Sequence, residues 1–238
     1  MNGKDRRIIA LDYSSQEEAL ALVGVLKEEA TYYKVGMELF YSSGGDIVRY
    51  LKEAGKKVFL DLKLHDIPNT AAKGLGALTR LGADMLNVHA SGGLEMMRRA
   101  GEVVAEEAAR CGKPVPVVLA VTVLTSIGGD EWVRLGHGEA VDKSVLRLAQ
   151  LTQEAGLQGV VASPQEAAAI RQACGKNFAI VTPGIRPAGV SVDDQQRVAT
   201  PASALAAGAS HLVIGRPVTK AEDPLAALRR LAAEMEGA

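Results

Sequence analysis

Eight short apolar runs, each followed by a longer stretch rich in alanine and leucine, constrain this chain more than any single motif. The runs at residues 7–12, 32–36, 57–62, 84–89, 115–121, 159–162, 179–182 and 212–215 have the apolar, largely β-branched make-up of buried strands. Residues 15–29, 45–54, 67–81, 93–110, 143–155, 164–173, 201–207 and 224–235 read as helices between and after them. In the first of these, Ala19, Leu22, Val23 and Leu26 recur at helical spacing. Several of these helices open on proline or an Asp/Ser-type cap, and Gly55, Gly82, Gly112, Gly156, Gly175 and Gly208 stand where helices end. Strands and helices alternating through short connections imply parallel strands joined by right-handed crossovers. Eight such units in 238 residues match the count and size of a closed (β/α)8 TIM barrel, an α/β fold expected here as a single domain over residues 1–238. An open doubly wound sheet is the alternative. Against it, Ile9-Ala10-Leu11-Asp12-Tyr13-Ser14 puts an acid where a dinucleotide site needs glycines.

Composition removes several classes of function. With 47 % hydrophobic and 23 % charged residues the chain is expected to fold, and a net charge of −1 supplies no basic field to attract nucleic acid. No apolar run approaches the roughly 18 residues of a membrane span, and Ile8-Ile9-Ala10-Leu11 is too short for a signal-peptide core. The expected location is the cytoplasm. Cys111 and Cys174 lie apart without a C-x-x-C pattern and read as free structural thiols.

In a barrel of this kind the active site is built from the C-terminal ends of the strands. Those ends carry Asp12, Lys34, Asp61 with Lys63, His89, residues 122–125, Ser163, Pro183-Gly184-Ile185-Arg186 and Gly215-Arg216. The third strand runs directly into Asp61-Leu62-Lys63-Leu64-His65-Asp66-Ile67-Pro68-Asn69-Thr70. Strand alternation turns Asp61 and Lys63 to one face and Leu62 and Leu64 to the other. Charges facing inward are costly unless they hold one another ionised around a ligand. A solvated surface turn is the competing reading of this segment. Asp12 could instead cap a helix starting at Ser14-Ser15. His65 and His89 lack a carboxylate at metal-ligand spacing and read as a core pair, so no metal is assigned. Trp132 and Tyr41 are expected to pack. Gly215-Arg216 at the last strand end, with Gly184 and Arg186 in the preceding loop, suits a phosphate, which glycine lets approach backbone N–H groups. The alternative for Arg216 is a surface salt bridge with Glu222 or Asp223. The long loops at 122–142 and 183–200 are placed to grip a substrate.

Taken in order, Ala10-Leu11-Asp12, Lys34-Val35-Gly36, the 61–70 segment, Val121-Thr122-Val123-Leu124-Thr125-Ser126, Val181-Thr182-Pro183-Gly184-Ile185-Arg186 and Ile214-Gly215-Arg216-Pro217 strongly resemble orotidine 5′-phosphate decarboxylases of the bacterial type. The resemblance runs from the first strand to the last. It implies loss of the C6 carboxylate of orotidine 5′-monophosphate as carbon dioxide, giving uridine 5′-monophosphate, the last step of de novo pyrimidine nucleotide synthesis. No metal or organic cofactor is implied. Lys34, Asp61, Lys63 and Asp66 match the family's catalytic charge network, with Lys63 as proton donor to C6. Asp66, Ile67 and Thr70 match residues that reach a neighbouring subunit's site, which implies a homodimer. Asp12 matches a ligand of the ribose hydroxyls, Thr125 a pyrimidine contact, Pro183 a further substrate-binding residue, and Gln195, Gly215 and Arg216 a phosphate clamp aided by Arg186. Gln195 sits beside Gln196 in Asp194-Gln195-Gln196-Arg197. Related barrels acting on sugar phosphates share D-x-K-x-x-D but carry an acid where Lys34 stands and use magnesium, which makes Lys34 the discriminating residue. A magnesium-dependent sugar-phosphate decarboxylase or aldolase and a catalytically silent nucleotide binder are the alternatives.

Overall fold

The computed structural model describes residues 3–187 and 198–236. Its strands are β1 Arg7–Leu11, β2 Tyr32–Gly36, β3 Lys57–Leu64, β4 Met85–His89, β5 Val117–Val121, β6 Gly159–Val161, β7 Ala179–Thr182 and β8 His211–Ile214. Each pairs in parallel with the next, and β8 returns to β1 through Leu212↔Arg7, Val213↔Ile8 and Ile214↔Ile9, so the sheet closes into a barrel. That closure removes the open-sheet alternative.

The helices are α1 Gln16–Leu26, α2 Met37–Ser43, α3 Asp46–Glu53, α4 Pro68–Arg80, α5 Leu94–Arg110, α6 Gly129–Arg134, α7 Val141–Glu154, α8 Ala167–Cys174, α9 Pro201–Ala206, α10 Arg216–Thr219 and α11 Pro224–Glu236. Their ends follow local chemistry. The Ser15 hydroxyl accepts the Glu18 N–H at the start of α1, and Thr200 accepts the Ser203 N–H at the start of α9. The six glycines expected to end helices all adopt left-handed φ, between 61° and 102°. β5 starts at Val117 rather than residue 115, because Pro116 has no N–H to give the ladder. α1 stops at Leu26 and continues as a 3-10 turn over Lys27–Glu29.

Two apolar layers hold the barrel. Ile9, Leu11, Tyr33, Val35 and Leu60 face the helices, whereas Ile8, Tyr32, Phe59, Met85, Leu119, Val181 and Val213 fill the interior. Each buried side chain of this size contributes roughly 1.5–3 kcal/mol. The alternation has a chemical consequence. Two residues past an inward apolar floor residue comes a polar one, Lys34 after Tyr32, Asp61 after Phe59 and Asn87 after Met85. Glycine is required at Gly159, where an added Cβ would lie 2.2 Å from the Ala179 carbonyl oxygen on β7.

Candidate active site

Lys34 rises from β2 into the barrel mouth and its Nζ lies 2.8 Å from Asp12 Oδ1 and 3.5 Å from Asp61 Oδ2. Gly36 leaves it room, since a Cβ there would stand 3.0 Å from Nζ. Lys63 Nζ approaches the other oxygen of the same carboxylate, Asp61 Oδ1, at 2.8 Å. The carboxylate therefore bridges two ammonium groups. Burial alone would lower the Lys34 pKa, but Asp61 and Asp12 outweigh it and hold the group above the ordinary lysine value. Burial would likewise raise the Asp61 pKa, and Lys34, Lys63 and the hydrogen bond from Asn87 hold it below the carboxylate range. With Lys34 and Asp61 both buried, removal of one partner strands the other's charge, at about 3–5 kcal/mol.

The array forms one wall of a cavity of about 250 Å³ at the C-terminal end of the barrel. Thr125 on the β5 loop, Pro183 and Arg186 on the β7 loop, and Gly215 with Arg216 after β8 also line it, above an apolar floor that includes Phe59 and Val213. Arg186 is buried, and its Nη1 donates to the Ile185 carbonyl at 2.9 Å. Gly215 and Arg216 form the start of α10 at the cavity edge, so Arg216 faces the barrel mouth instead of lying on a surface away from it. Asp12 does not cap a helix. That role falls to Ser15, and the Asp12 carboxylate stays 63 % exposed beside Lys34, within reach of a ligand's hydroxyls.

Asp66, Ile67 and Thr70 leave the barrel where β3 passes into α4, and none of them lines the cavity of its own chain. Asp66 Oδ1 accepts the Ile67 N–H at 2.7 Å, and Ile67 is 67 % exposed. Gln195 lies outside the described residues. His65 and His89 form a tilted ring pair with centroids 5.5 Å apart. Burial first, then the neighbouring His65 and Lys63, push His89 below the usual histidine pKa. Among the described residues no group of three or more His, Cys, Asp or Glu side chains is arranged to hold a metal. Trp132 packs as expected, stacked 3.6 Å from His137, but Tyr41 does not: in the single chain it is 72 % exposed, because α2 turns it outward.

One residue escaped the sequence reading. Asn87 on β4 is almost fully buried, donates from Nδ2 to Asp61 Oδ1 at 2.7 Å and accepts the Lys63 N–H at 2.8 Å. Asparagine is disfavoured in strands, and one in the middle of Met85-Leu86-Asn87-Val88-His89 is the signal that could have found it.

A closed parallel barrel whose mouth gathers a lysine–aspartate–lysine array and two arginines around one cavity has the build of the (β/α)8 enzymes. Comparison with known proteins narrows this. The orotidine 5′-phosphate decarboxylase / HUMPS family model matches residues 5–231, and the chain belongs to that family. The orotidine 5′-phosphate decarboxylase of Moorella thermoacetica is 54 % identical over 237 residues, spanning 99 % of this chain and 94 % of its own. That of Nitrosococcus oceani is 51 % identical over 232 residues, 98 % of each chain. The crystal structure of the Lactobacillus acidophilus orotidine 5′-phosphate decarboxylase superposes with a TM-score of 0.83 at 39 % identity, covering 96 % of this chain and 97 % of that one. No helix among the described residues is long and apolar enough to cross a membrane.

Proposed function

We propose that this chain converts orotidine 5′-monophosphate to uridine 5′-monophosphate and carbon dioxide, the last step of de novo uridylate synthesis, without metal or organic cofactor. The observation that carries this reading is Lys34, an ammonium 2.8 Å from Asp12 and 3.5 Å from Asp61, at the position where magnesium-using sugar-phosphate barrels carry an acid. A cation there competes with a divalent ion for the same carboxylates.

The geometry suits the chemistry. Breaking the C6–carboxylate bond leaves an electron pair on an sp² carbon that the ring delocalises poorly, so the barrier in water is very high. An ammonium fixed beside C6 stabilises that developing anion electrostatically and then delivers a proton to it. Lys63 has that role, held by Asp61 at 2.8 Å. Asp61 also keeps Lys34 charged, and its nearness to the departing carboxylate raises the ground-state energy, a smaller contribution than the stabilisation of the transition state. Asp12 receives the ribose hydroxyls and Thr125 the pyrimidine. Gly215, Arg216, Arg186 and Gln195 hold the phosphate, and Pro183 is a further substrate contact. Because that phosphate lies far from C6, its binding energy is available to lower the barrier at the reacting carbon.

The working unit is a homodimer in the cytoplasm, each chain one domain, with Asp66, Ile67 and Thr70 completing the partner's site. Large apolar side chains exposed after β2, β3 and β5, namely Met37, Tyr41, Ile67 and Leu124, support a covered rim. The test is loss of orotate absorbance with orotidine 5′-monophosphate, with and without chelator. Turnover unaffected by chelator is expected. Turnover abolished by chelator supports the magnesium reading, and binding without turnover supports the silent one.

A further inference from the structure

We propose that Asn87 is the positioning residue of the charge array, its one amide fixing both the backbone of Lys63 and the carboxylate that aims the Lys63 ammonium. The kinetic side of this inference rests on the decarboxylase reading above; the structural side does not.

The pairing of β3 with β4 shows why such a residue is needed. Leu60 pairs with Leu86, but the next pair is Leu64 with Val88, so four steps along β3 match two along β4. The surplus residues bulge out of the ladder, and they are the ones that carry Asp61 and Lys63. Within the bulge Lys63 has φ 50°, a left-handed conformation that strains a residue with a Cβ. Only Lys27 shares this feature among the described non-glycine residues. A bulge also takes backbone groups away from their ladder partners. The Lys63 N–H would be left over inside the protein, and Asn87 Oδ1 accepts it at 2.8 Å.

The other half of the amide faces the chemistry. Nδ2 donates to Asp61 Oδ1 at 2.7 Å, the same oxygen that Lys63 Nζ approaches at 2.8 Å. Lys63 is thus tied to Asn87 twice, directly at its main chain and through Asp61 at its ammonium. The orientation of the amide follows from its partners, since an N–H needs an acceptor and a carboxylate needs a donor. A primary amide of this length meets both demands. Aspartate keeps the acceptor but faces Asp61 with a second negative charge; alanine leaves a buried N–H and a carboxylate oxygen short of a partner. Asn87 does not line the cavity, so it touches no ligand and acts through Lys63 and Asp61 alone.

Its consequence is kinetic because electrostatic stabilisation needs the ammonium held to within about 0.5 Å of its working position. The test uses full-length Asn87→Ala and the isosteric Asn87→Asp, assayed with orotidine 5′-monophosphate, with kcat taken per folded molecule from circular dichroism. In both, kcat falls about 100-fold while KM moves by less than about threefold. A kcat within about threefold of the unsubstituted chain overturns the proposal, as does a loss accounted for by unfolded protein. Crystal structures of the two variants give an answer independent of turnover. The Lys63 φ leaving the left-handed region, or the Lys63–Asp61 pair separating, supports the proposal, and an unchanged array in both variants overturns it. Should the unsubstituted chain itself fail to turn over, the functional reading falls, and the crystallographic comparison still decides the role of Asn87.

Discussion

Lys34 and Asp61 hold each other ionised from opposite directions, and the pH behaviour follows from the signs. The folded Asp61 pKa is depressed, so its contribution to stability is complete above the unfolded carboxylate value of about 3.9 and is lost as pH falls through the lower folded value. The folded Lys34 pKa is raised, so its contribution is complete below the unfolded lysine value of about 10.4 and is lost as pH rises through the higher folded value. Between those limits neither group titrates. A profile of kcat/KM from pH 5 to pH 9 should therefore carry no limb from either residue, and its acid limb should follow the second ionisation of the substrate phosphate near about 6. A limb near neutrality that disappears in Lys34→Gln would contradict the array. Lys63 is tested by removal. Lys63→Ala should lower kcat by at least about 10⁴-fold, the combined loss of a proton donor and of electrostatic stabilisation, while binding of uridine 5′-monophosphate stays measurable. Near-normal turnover would remove the proton-donor role.

At the level of elements, what the sequence conveyed was periodicity. Eight apolar runs became eight strands because each is buried on both faces, and the helix-ending glycines took the φ that only glycine adopts without strain. What it did not convey were features with no period. α2, α6 and α10 have seven, six and four residues, too few for a repeat to show. The β3 bulge depends on pairing with β4, a long-range relation that no local pattern encodes, and with it went the role of Asn87. Asp61 was legible because inward alternation from Phe59 reaches it, whereas Lys63 comes to the same carboxylate through the bulge and not through regular alternation. Two predictions belong to this scale. Arg216 at the start of α10 lines the cavity, where a charge-assisted bond to the proposed phosphate would contribute about 1.5–3 kcal/mol. Arg216→Ala should accordingly raise KM for 5′-phosphate substrates by roughly tenfold to a hundredfold and leave the nucleoside's rate nearly unchanged; equal losses on both would contradict a clamp. Gly159→Ala forces a Cβ against the Ala179 carbonyl oxygen, overpacking that costs about 1–3 kcal/mol. Thermal unfolding should then show a Tm lower by roughly 2–4 °C for each kcal/mol, and an unchanged Tm would mean that β6 and β7 separate freely.

For the whole molecule, one barrel accounts for most of the site but not for the end of the 61–70 segment. Asp61 and Lys63 turn into the cavity, whereas Asp66, Ile67 and Thr70, three to nine positions further on, leave it. Chain direction explains the split, because α4 must fold back over the outside of the barrel and carries its first turn away from the mouth. In the proposed two-fold symmetric dimer the same first turn would complete the partner's site, each site then taking Asp61 from one chain and Asp66 from the other. This makes a quantitative prediction for chains inactivated separately. In a heterodimer of Asp61→Ala and Asp66→Ala, one site receives both substitutions and the other receives neither. Free exchange of equal amounts makes half the dimers mixed, so about one quarter of all sites should be intact and activity should rise from near zero to about one quarter of the unsubstituted value. Sites contained within one chain give a different result, since every site in the mixture would then carry a substitution. Exchange demonstrated by mass spectrometry with no recovery of turnover would therefore argue for sites contained within one chain, each using its own Asp66 beside Lys34, Asp61 and Lys63.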